Sequence, residues 1–333
     1  MKKTPIFILA IVAILSIVYM IGPRCEKAVL STSFPIVPST ISGLIDSISH
    51  SEASYGDSIK NGCHSQIHLY NDSISKTEYV LLYLHGYTAT INEGMPVAAH
   101  FASRYGMNMY LPRLDDHGYV TEDPLLYMTA DGLWESAKEA LAVAEKLGDK
   151  VIIMSTSTGG TLALTLAATY PEKIHTLINI SPNILPATAG VRLLTGPWGL
   201  EIARLVQGGK RMKIDSTNYH PEYWSEGPRL ESTVELQNLV DATMHSYTFE
   251  KITAPSLTLA YYKDTENQDN TVRVDKIREM HSQLSSPTKH YVELPTVGVH
   301  PMACGVVSHD IDAVESTIYD FTENTLGIKK KED

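Results

Sequence analysis

Three features of this 333-residue chain predict an α/β protein with a mainly parallel sheet and helices on both faces. Apolar runs of strand length alternate with segments of helical spacing from about residue 66 onward. Several of those runs are apolar throughout, as strands buried on both faces require. One of them, "VIIMSTSTGGTLAL" from Val151 to Leu164, breaks on small hydroxyl residues, meets Gly159 and Gly160, and passes at once into a helical pattern. A strand that ends this way forces one residue, Ser157, into a tight exposed corner.

The elements follow in order. Residues 1–25 open with Lys2 and Lys3 and run apolar from Ile6 to Ile21, close to the ~20 residues that span a bilayer. A secretory signal would have a shorter apolar core followed by small residues. Tyr19, Met20 and Arg24 stand there instead, so the segment reads as a single transmembrane anchor, with a cleaved signal as the alternative. Arg24 and Lys27 on the far side leave only a slight charge bias, toward a body outside the cytoplasm. Residues 26–60, rich in Ser, Pro and Ile, read as a stalk with one short helix near Ile41 to Ile48. The first part of the core, 61–182, then gives strand candidates "SQIHLY", "YVLLYLHG", "MNMYLP", "KVIIMS" and "IHTLINIS". Between them lie helix candidates "EGMPVAAHFASRYG", "TADGLWESAKEALAVAEKLG" and "GGTLALTLAATY". Residues 183–250 show no strand of the sheet and read as an inserted helical cap. The core resumes over 251–328 with "APSLTLAYY", the helix "VRVDKIREMHSQL", the strand "KHYVELP" and a last helix. A polar tail covers 329–333.

Composition narrows the chemistry. A formal net charge of −11 argues against a nucleic-acid partner, since phosphate binding needs a basic surface. Cys25, Cys63 and Cys304 form no C-x-x-C pair, so neither a disulfide framework nor a zinc knuckle is indicated. The run "CHSQIH" gathers Cys63, His64 and His68, but no second ligand cluster stands at a suitable spacing.

At a strand-to-helix elbow the central residue takes an unfavourable backbone conformation, so the positions two before and two after it must be small. Ser155 and Gly159 meet that demand around Ser157, although serine replaces the first glycine of the usual G-x-S-x-G. The helix that follows turns its free N–H groups toward the serine. Alternatively, the hydroxyls simply cap a helix. His300 in "LPTVGVHPMA" follows the last strand, and parallel strands deliver their C-terminal ends to one edge. Its imidazole can take the serine proton and return it to a leaving group. An aspartate in "LTLAYYKDTENQDNTVRV" can orient that imidazole. Asp264 follows the strand directly, while Asp269 precedes "NTVRV", where the next helix begins. Both remain alternatives, and helix-start packing favours Asp269.

From about Gln66 to Leu326, the pieces "YLHGYTAT", "LPRLDDHGY", "STSTGG", the aspartate loop and "GVHP" resemble the α/β-hydrolase superfamily. Within it the chain resembles bacterial membrane-anchored carboxylesterases and monoacylglycerol lipases with a helical cap. The resemblance implies an α/β-hydrolase fold and hydrolysis of carboxylic esters, lipid-like acyl esters among them, by Ser157, Asp269 and His300. It further implies an oxyanion hole made by the N–H groups of Tyr87 and Thr158, no cofactor and no metal. His85, Gly86, His117 and Gly118 then shape loops. A peptidase or thioesterase would use the same triad, and a non-catalytic binding protein could keep the fold. The cap residues Trp198, Leu200, Ile202, Leu205, Val206, Tyr219, Tyr223 and Trp224 are either core packing or an apolar acyl pocket. The run "GGKRMK" from Gly208 to Lys213 is either a solvated turn or a contact for anionic headgroups.

Overall fold

The computed structural model describes residues 3–213 and 220–332, with side chains from residue 9 onward. Seven strands form one sheet in the order β1-β3-β2-β4-β5-β6-β7. They are β1 (Gln66–His68), β2 (Thr77–Leu84), β3 (Asn108–Leu111), β4 (Gly148–Thr156), β5 (Ile174–Ile180), β6 (Ser256–Tyr261) and β7 (Lys289–Leu294). Only the edge pair β1/β3 is antiparallel; every other pair is parallel. This is the α/β-hydrolase fold, a mainly parallel sheet covered on both faces.

Strand alternation divides the core in two. Successive side chains of a strand point to opposite faces. Val80, Leu82, Leu84, Val151 and Ile153 therefore join one cluster with α4 (Ala130–Leu147) and α5 (Thr158–Thr169). Leu81, Tyr83, Ile152 and Met154 join the other with α3 (Val97–Arg104) and α10 (Ile311–Asp320). Helix α9 (Val274–Gln283) crosses from β6 to β7. The insertion after β5 carries α6 (Gly199–Gln207), α7 (Leu230–Thr243) and the four-residue α8 (Ser246–Phe249).

The N-terminal third differs from the sequence reading. Helix α1 covers Lys3–Met20. Among the described residues, no helix is long and apolar enough to cross a membrane, and the side chains of α1 are described only from Leu9. The expected span therefore gains no support from the fold. Residues 26–60 are not a free stalk. Their main-chain carbonyls are taken by body side chains: Trp134 Nε1 donates to Ser31 O at 2.6 Å, Tyr170 Oη to Thr32 O at 2.9 Å and Lys138 Nζ to Ser33 O at 2.9 Å. Phe34 packs edge-on against Tyr170, with ring centroids 5.0 Å apart. Helix α2 (Ile41–Ala53), longer than the expected turn or two, is capped by Thr40 and buries Leu44 in the core. The strap is held because its carbonyls accept hydrogen bonds from the buried side chains of Trp134, Lys138 and Tyr170.

Trp134 anchors this strap: it is buried, stacks on Tyr170 and donates to Ser31. Trp134→Ala should lower unfolding free energy by about 3–5 kcal/mol, whereas Trp134→Phe, which loses mainly the N–H bond, should lose about 1 kcal/mol. Urea denaturation of the two variants checks this ordering; equal losses would mean the hydrogen bond, not the packing, fixes the strap.

Candidate active site

Ser157 stands between β4 and α5 with φ 55° and ψ −116°, a conformation that costs a non-glycine residue about 1–3 kcal/mol. Its own main chain is fully engaged. Ser157 N–H donates to Ile180 O at 3.1 Å, and Ser157 O accepts from Gly160 N, Asn183 N and Thr161 N at 2.9, 2.8 and 3.3 Å. The small residues around it are explained by their neighbours. A Cβ at position 159 would lie 1.9 Å from Leu84 O, and one at position 160 would lie 2.6 Å from Pro182 Cβ. Position 155 is different. The Ser155 side chain fits between β4 and β5, donating to Asn179 Oδ1 at 3.2 Å, so serine replaces the customary glycine without a clash.

His300 lies in the loop after β7. Its Nδ1 donates to Asp269 Oδ2 at 2.6 Å, and its Nε2 is buried with no hydrogen-bond partner among the described residues. Asp269 is held in turn: its Oδ1 accepts from Thr271 N at 2.9 Å and Val272 N at 3.2 Å. Burial by itself would raise the Asp269 pKa, but His300 and those N–H donors bring it below the ordinary aspartate value. Burial would likewise lower the His300 pKa; the Asp269 carboxylate, with Glu93 adding, carries it above the ordinary histidine value. Asp264 is elsewhere. It is exposed and organises a surface turn, accepting from Glu266 N and Asn267 N at 2.9 and 2.8 Å.

Ser157 and His300 line one cavity of about 450 Å³. The structure brings His300 and Asp269 into a hydrogen bond and brings Ser157 to the same cavity, without a hydrogen bond between Ser157 and His300. Tyr87 and Thr158 line it too. Thr158 opens α5, where N–H groups lack intrahelical acceptors. Tyr87 N–H makes no hydrogen bond among the described residues, while its hydroxyl is shared with Ser232 and Thr233 of α7 at 2.7 and 3.1 Å. His85 shapes this loop. It donates from Nδ1 to Gly86 O at 3.0 Å and accepts Leu114 N–H on Nε2 at 3.2 Å; burial lowers its pKa to about 4, which fixes that neutral tautomer. His117, also buried, packs against it with ring centroids 4.9 Å apart.

The cap supplies the apolar wall through Val191, Leu193, Leu194, Ile202, Val206, Met212, Leu230 and Leu236. Of the cap residues expected in a pocket, Ile202, Val206 and Trp224 line it; Trp198, Leu200, Leu205 and Tyr223 do not, and Tyr219 lies outside the described residues. Leu205 is 82% exposed. In the basic run, Arg211 bonds to Glu122 O and pairs with Asp123 at 3.2 Å, which makes it a turn pinned to the body. Cys63 is buried and His68 sits on β1. One wall residue was not legible in the sequence: Glu93, buried beside Gly86 and Ser157.

A scan of known protein families finds no match to the chain, and neither does a search of curated proteins. Solved structures do match. The chain is similar to a structure of LipS and LipT, two metagenome-derived lipolytic enzymes, with 16% identity and a TM-score of 0.64 over 80% of this chain and 99% of the other. It is similar to the monoacylglycerol lipase of Paleococcus ferrophilus, with 14% identity and a TM-score of 0.56 over 78% and 97% of the two chains. It is also similar to Est1E from Butyrivibrio proteoclasticus, with 15% identity and a TM-score of 0.52 over 81% and 98%. At these identities the likeness establishes the α/β-hydrolase fold.

The elbow makes a direct prediction. Gly159→Ala should destabilise the protein by about 3 kcal/mol, since its methyl meets a fixed carbonyl oxygen, while Ser155→Ala should lose about 1 kcal/mol with its hydrogen bond. Chemical denaturation of both variants checks it, and a Gly159→Ala midpoint equal to wild type would refute the clash.

Proposed function

We propose that this chain is a serine hydrolase of carboxylic esters with an apolar acyl group. The observation that carries the reading is the strained corner at Ser157, opening on a cavity that His300 also lines while its other ring nitrogen is bound to Asp269. A hydroxyl held at such a corner has no structural use that a less strained residue would not serve better.

In this reading Ser157 Oγ attacks the ester carbonyl, and His300 Nε2 takes the hydroxyl proton as the new C–O bond forms. The carbonyl oxygen becomes an oxyanion between the N–H groups of Tyr87 and Thr158, each such donor being worth about 3 kcal/mol in the transition state. Asp269 keeps the imidazole turned toward the serine and stabilises its positive charge. Collapse breaks the ester C–O bond, His300 gives the proton to the departing alcohol, and the acyl group stays on Ser157. Water then gives a proton to His300 and attacks the acyl carbonyl, releasing the acid and returning the proton to Ser157. The absent Ser157–His300 hydrogen bond is compatible with this, since such bonds tighten only once substrate is bound.

The apolar cap wall supports an acyl group as the buried part of the substrate. The structural neighbours, lipolytic enzymes and a monoacylglycerol lipase, support the same class. The proposed membrane anchor is the apolar run Ile6 to Ile21, with the catalytic body outside the cytoplasm; Leu9 and Leu15 in α1 and Ile21 just past it are exposed. Carbonate washing of membranes tests the anchor: the full chain should stay in the pellet and a chain lacking residues 1–25 should be released. Retention of the shortened chain would assign membrane binding elsewhere.

The catalytic reading is tested with a fluorophosphonate probe and a p-nitrophenyl ester. Wild type should be labelled and Ser157→Ala should not. Asp269→Asn should lower kcat on the order of a thousandfold or more, while Asp264→Asn should stay within about threefold, as expected for an exposed surface turn. Equal labelling of wild type and Ser157→Ala would end this reading.

A further inference from the structure

Glu93 is the only acid among the described residues lining the cavity, and the acyl-transfer steps leave it unused. It sits on a short turn, Ile91–Gly94, just past the loop that carries Tyr87. It is 3% exposed. Its Oε2 accepts the Gly86 N–H at 2.7 Å, with the Tyr83 hydroxyl 3.4 Å from the same oxygen and Trp224 Nε1 3.4 Å from Oε1. A Cβ at position 86 would lie 3.0 Å from Glu93 Oε1 and 3.1 Å from Ser157 Cβ. The carboxyl and the serine thus both close on Gly86.

The peptide joining Gly86 to Tyr87 is held on its carbonyl side, where Gly86 O accepts from Ala89 N at 3.2 Å and from His85 Nδ1 at 3.0 Å. A trans peptide points its N–H opposite to its C=O. Tyr87 N–H therefore faces away from those two donors, and what remains to be fixed is the entry of the chain at Gly86 N. Glu93 supplies that fixation from a buried position.

We propose that Glu93 is a positioning residue for the oxyanion loop: by accepting the Gly86 N–H it aims the Tyr87 N–H at the carbonyl under attack by Ser157. This rests on the serine-hydrolase reading. The role needs an acceptor at this place, and a buried carboxyl meets a second condition, because its charge also faces His300. Burial raises the Glu93 pKa to about 7, opposed by the Gly86 N–H, His300, Trp224 and Tyr83. The titratable groups facing it are Tyr83 from β2, His300 from the loop after β7, and Cys304 just beyond. An ionised Glu93 favours the imidazolium form of His300, so it moves the rise of kcat/KM, which follows loss of the His300 proton, to higher pH.

The test compares Glu93→Gln, which keeps an acceptor oxygen without charge, with Glu93→Met, which keeps the volume without an acceptor. Hydrolysis of p-nitrophenyl butyrate, fluorophosphonate labelling and thermal unfolding are measured on both. Glu93→Met should lower kcat at least about tenfold, with KM within about twofold and labelling slowed in parallel, as loss of aim at one oxyanion donor implies. Glu93→Gln should hold kcat within about threefold and shift the ascending limb of kcat/KM to lower pH. Wild-type kcat in Glu93→Met, or equal loss in both variants, overturns the proposal. If Glu93→Met does not fold, Glu93→Gln decides: a loss above tenfold, or an unmoved limb, overturns it. Failure of wild type itself to label at Ser157 would instead sink the hydrolase reading, whatever the Glu93 variants do.

Discussion

The left-handed backbone of Ser157 is the constraint on which the rest of the molecule depends. Nothing local favours it, and the surrounding sheet holds it. β2 contributes the Leu84 carbonyl against which Gly159 is pressed, and β5 contributes the Ile180 carbonyl that accepts the Ser157 N–H. The central order β2-β4-β5 therefore does more than bury apolar strands. It places a carbonyl on each side of one corner, so that α5 can leave β4 only in the direction that raises the serine hydroxyl toward the cavity. The strain of about 1–3 kcal/mol is distributed over hydrogen bonds from three N–H groups to the Ser157 carbonyl.

How far the sequence revealed this depended on the range of the interaction. The elbow was legible because its demand is local: small residues two positions before and after a serine, between a strand pattern and a helix pattern. That Asp269 rather than Asp264 meets His300 follows from a similarly local feature. The helix start at "TVRV" fixes where the preceding carboxylate can find N–H donors, and Thr271 N and Val272 N are those donors. The strap over residues 26–60 was misread because its partners, Trp134, Lys138 and Tyr170, lie more than a hundred residues away, and its own Ser- and Pro-rich composition carries no periodicity. The cap pocket was half legible. Ile202 and Val206 line the cavity although they are 38% and 75% exposed, and Leu205 next to them does not line it; which side of so exposed a helix borders the cavity depends on docking that composition does not encode. Glu93 gave no signal at all, since it reads as the first residue of the helix candidate "EGMPVAAHFASRYG", whereas it sits on the turn Ile91–Gly94 ahead of α3.

The cap is tied to the loop beneath it. Thr90 N–H donates to Tyr223 O at 2.8 Å, Ser225 N–H donates to Thr88 O at 2.7 Å, and Ala89 bridges Trp224. The Tyr87 hydroxyl adds a link to α7. The Tyr87 loop is thus held from above by the cap's own main chain, in the manner of an added strand. A cap that swung away as a rigid lid would break these bonds and loosen the Tyr87 peptide along with them. The wall formed by Leu193 and α6 is the freer one, with Leu193 and Leu205 exposed to solvent. Access by movement on that side leaves the loop intact.

Two carboxyl groups act on one imidazole from different surroundings: Asp269 is bonded to it, and Glu93 acts only through its charge. Asp269 accepts two main-chain N–H groups besides His300, and these donors outweigh its burial, so it stays charged. Glu93 has one short N–H bond and two long contacts, too few to offset burial, and its pKa lies near neutrality. What separates them is the hydrogen-bonded contact with the charge of His300, which Asp269 has at 2.6 Å and Glu93 lacks. In the proposed acyl transfer a charged partner suits the imidazole, because the imidazolium forms and discharges once in each half of the reaction. A carboxyl facing a developing oxyanion is under the opposite demand, since a full negative charge there would oppose the one forming on the substrate. The Gly86 hydrogen bond is in place in either form of Glu93, and only its ionised form adds to the field at His300.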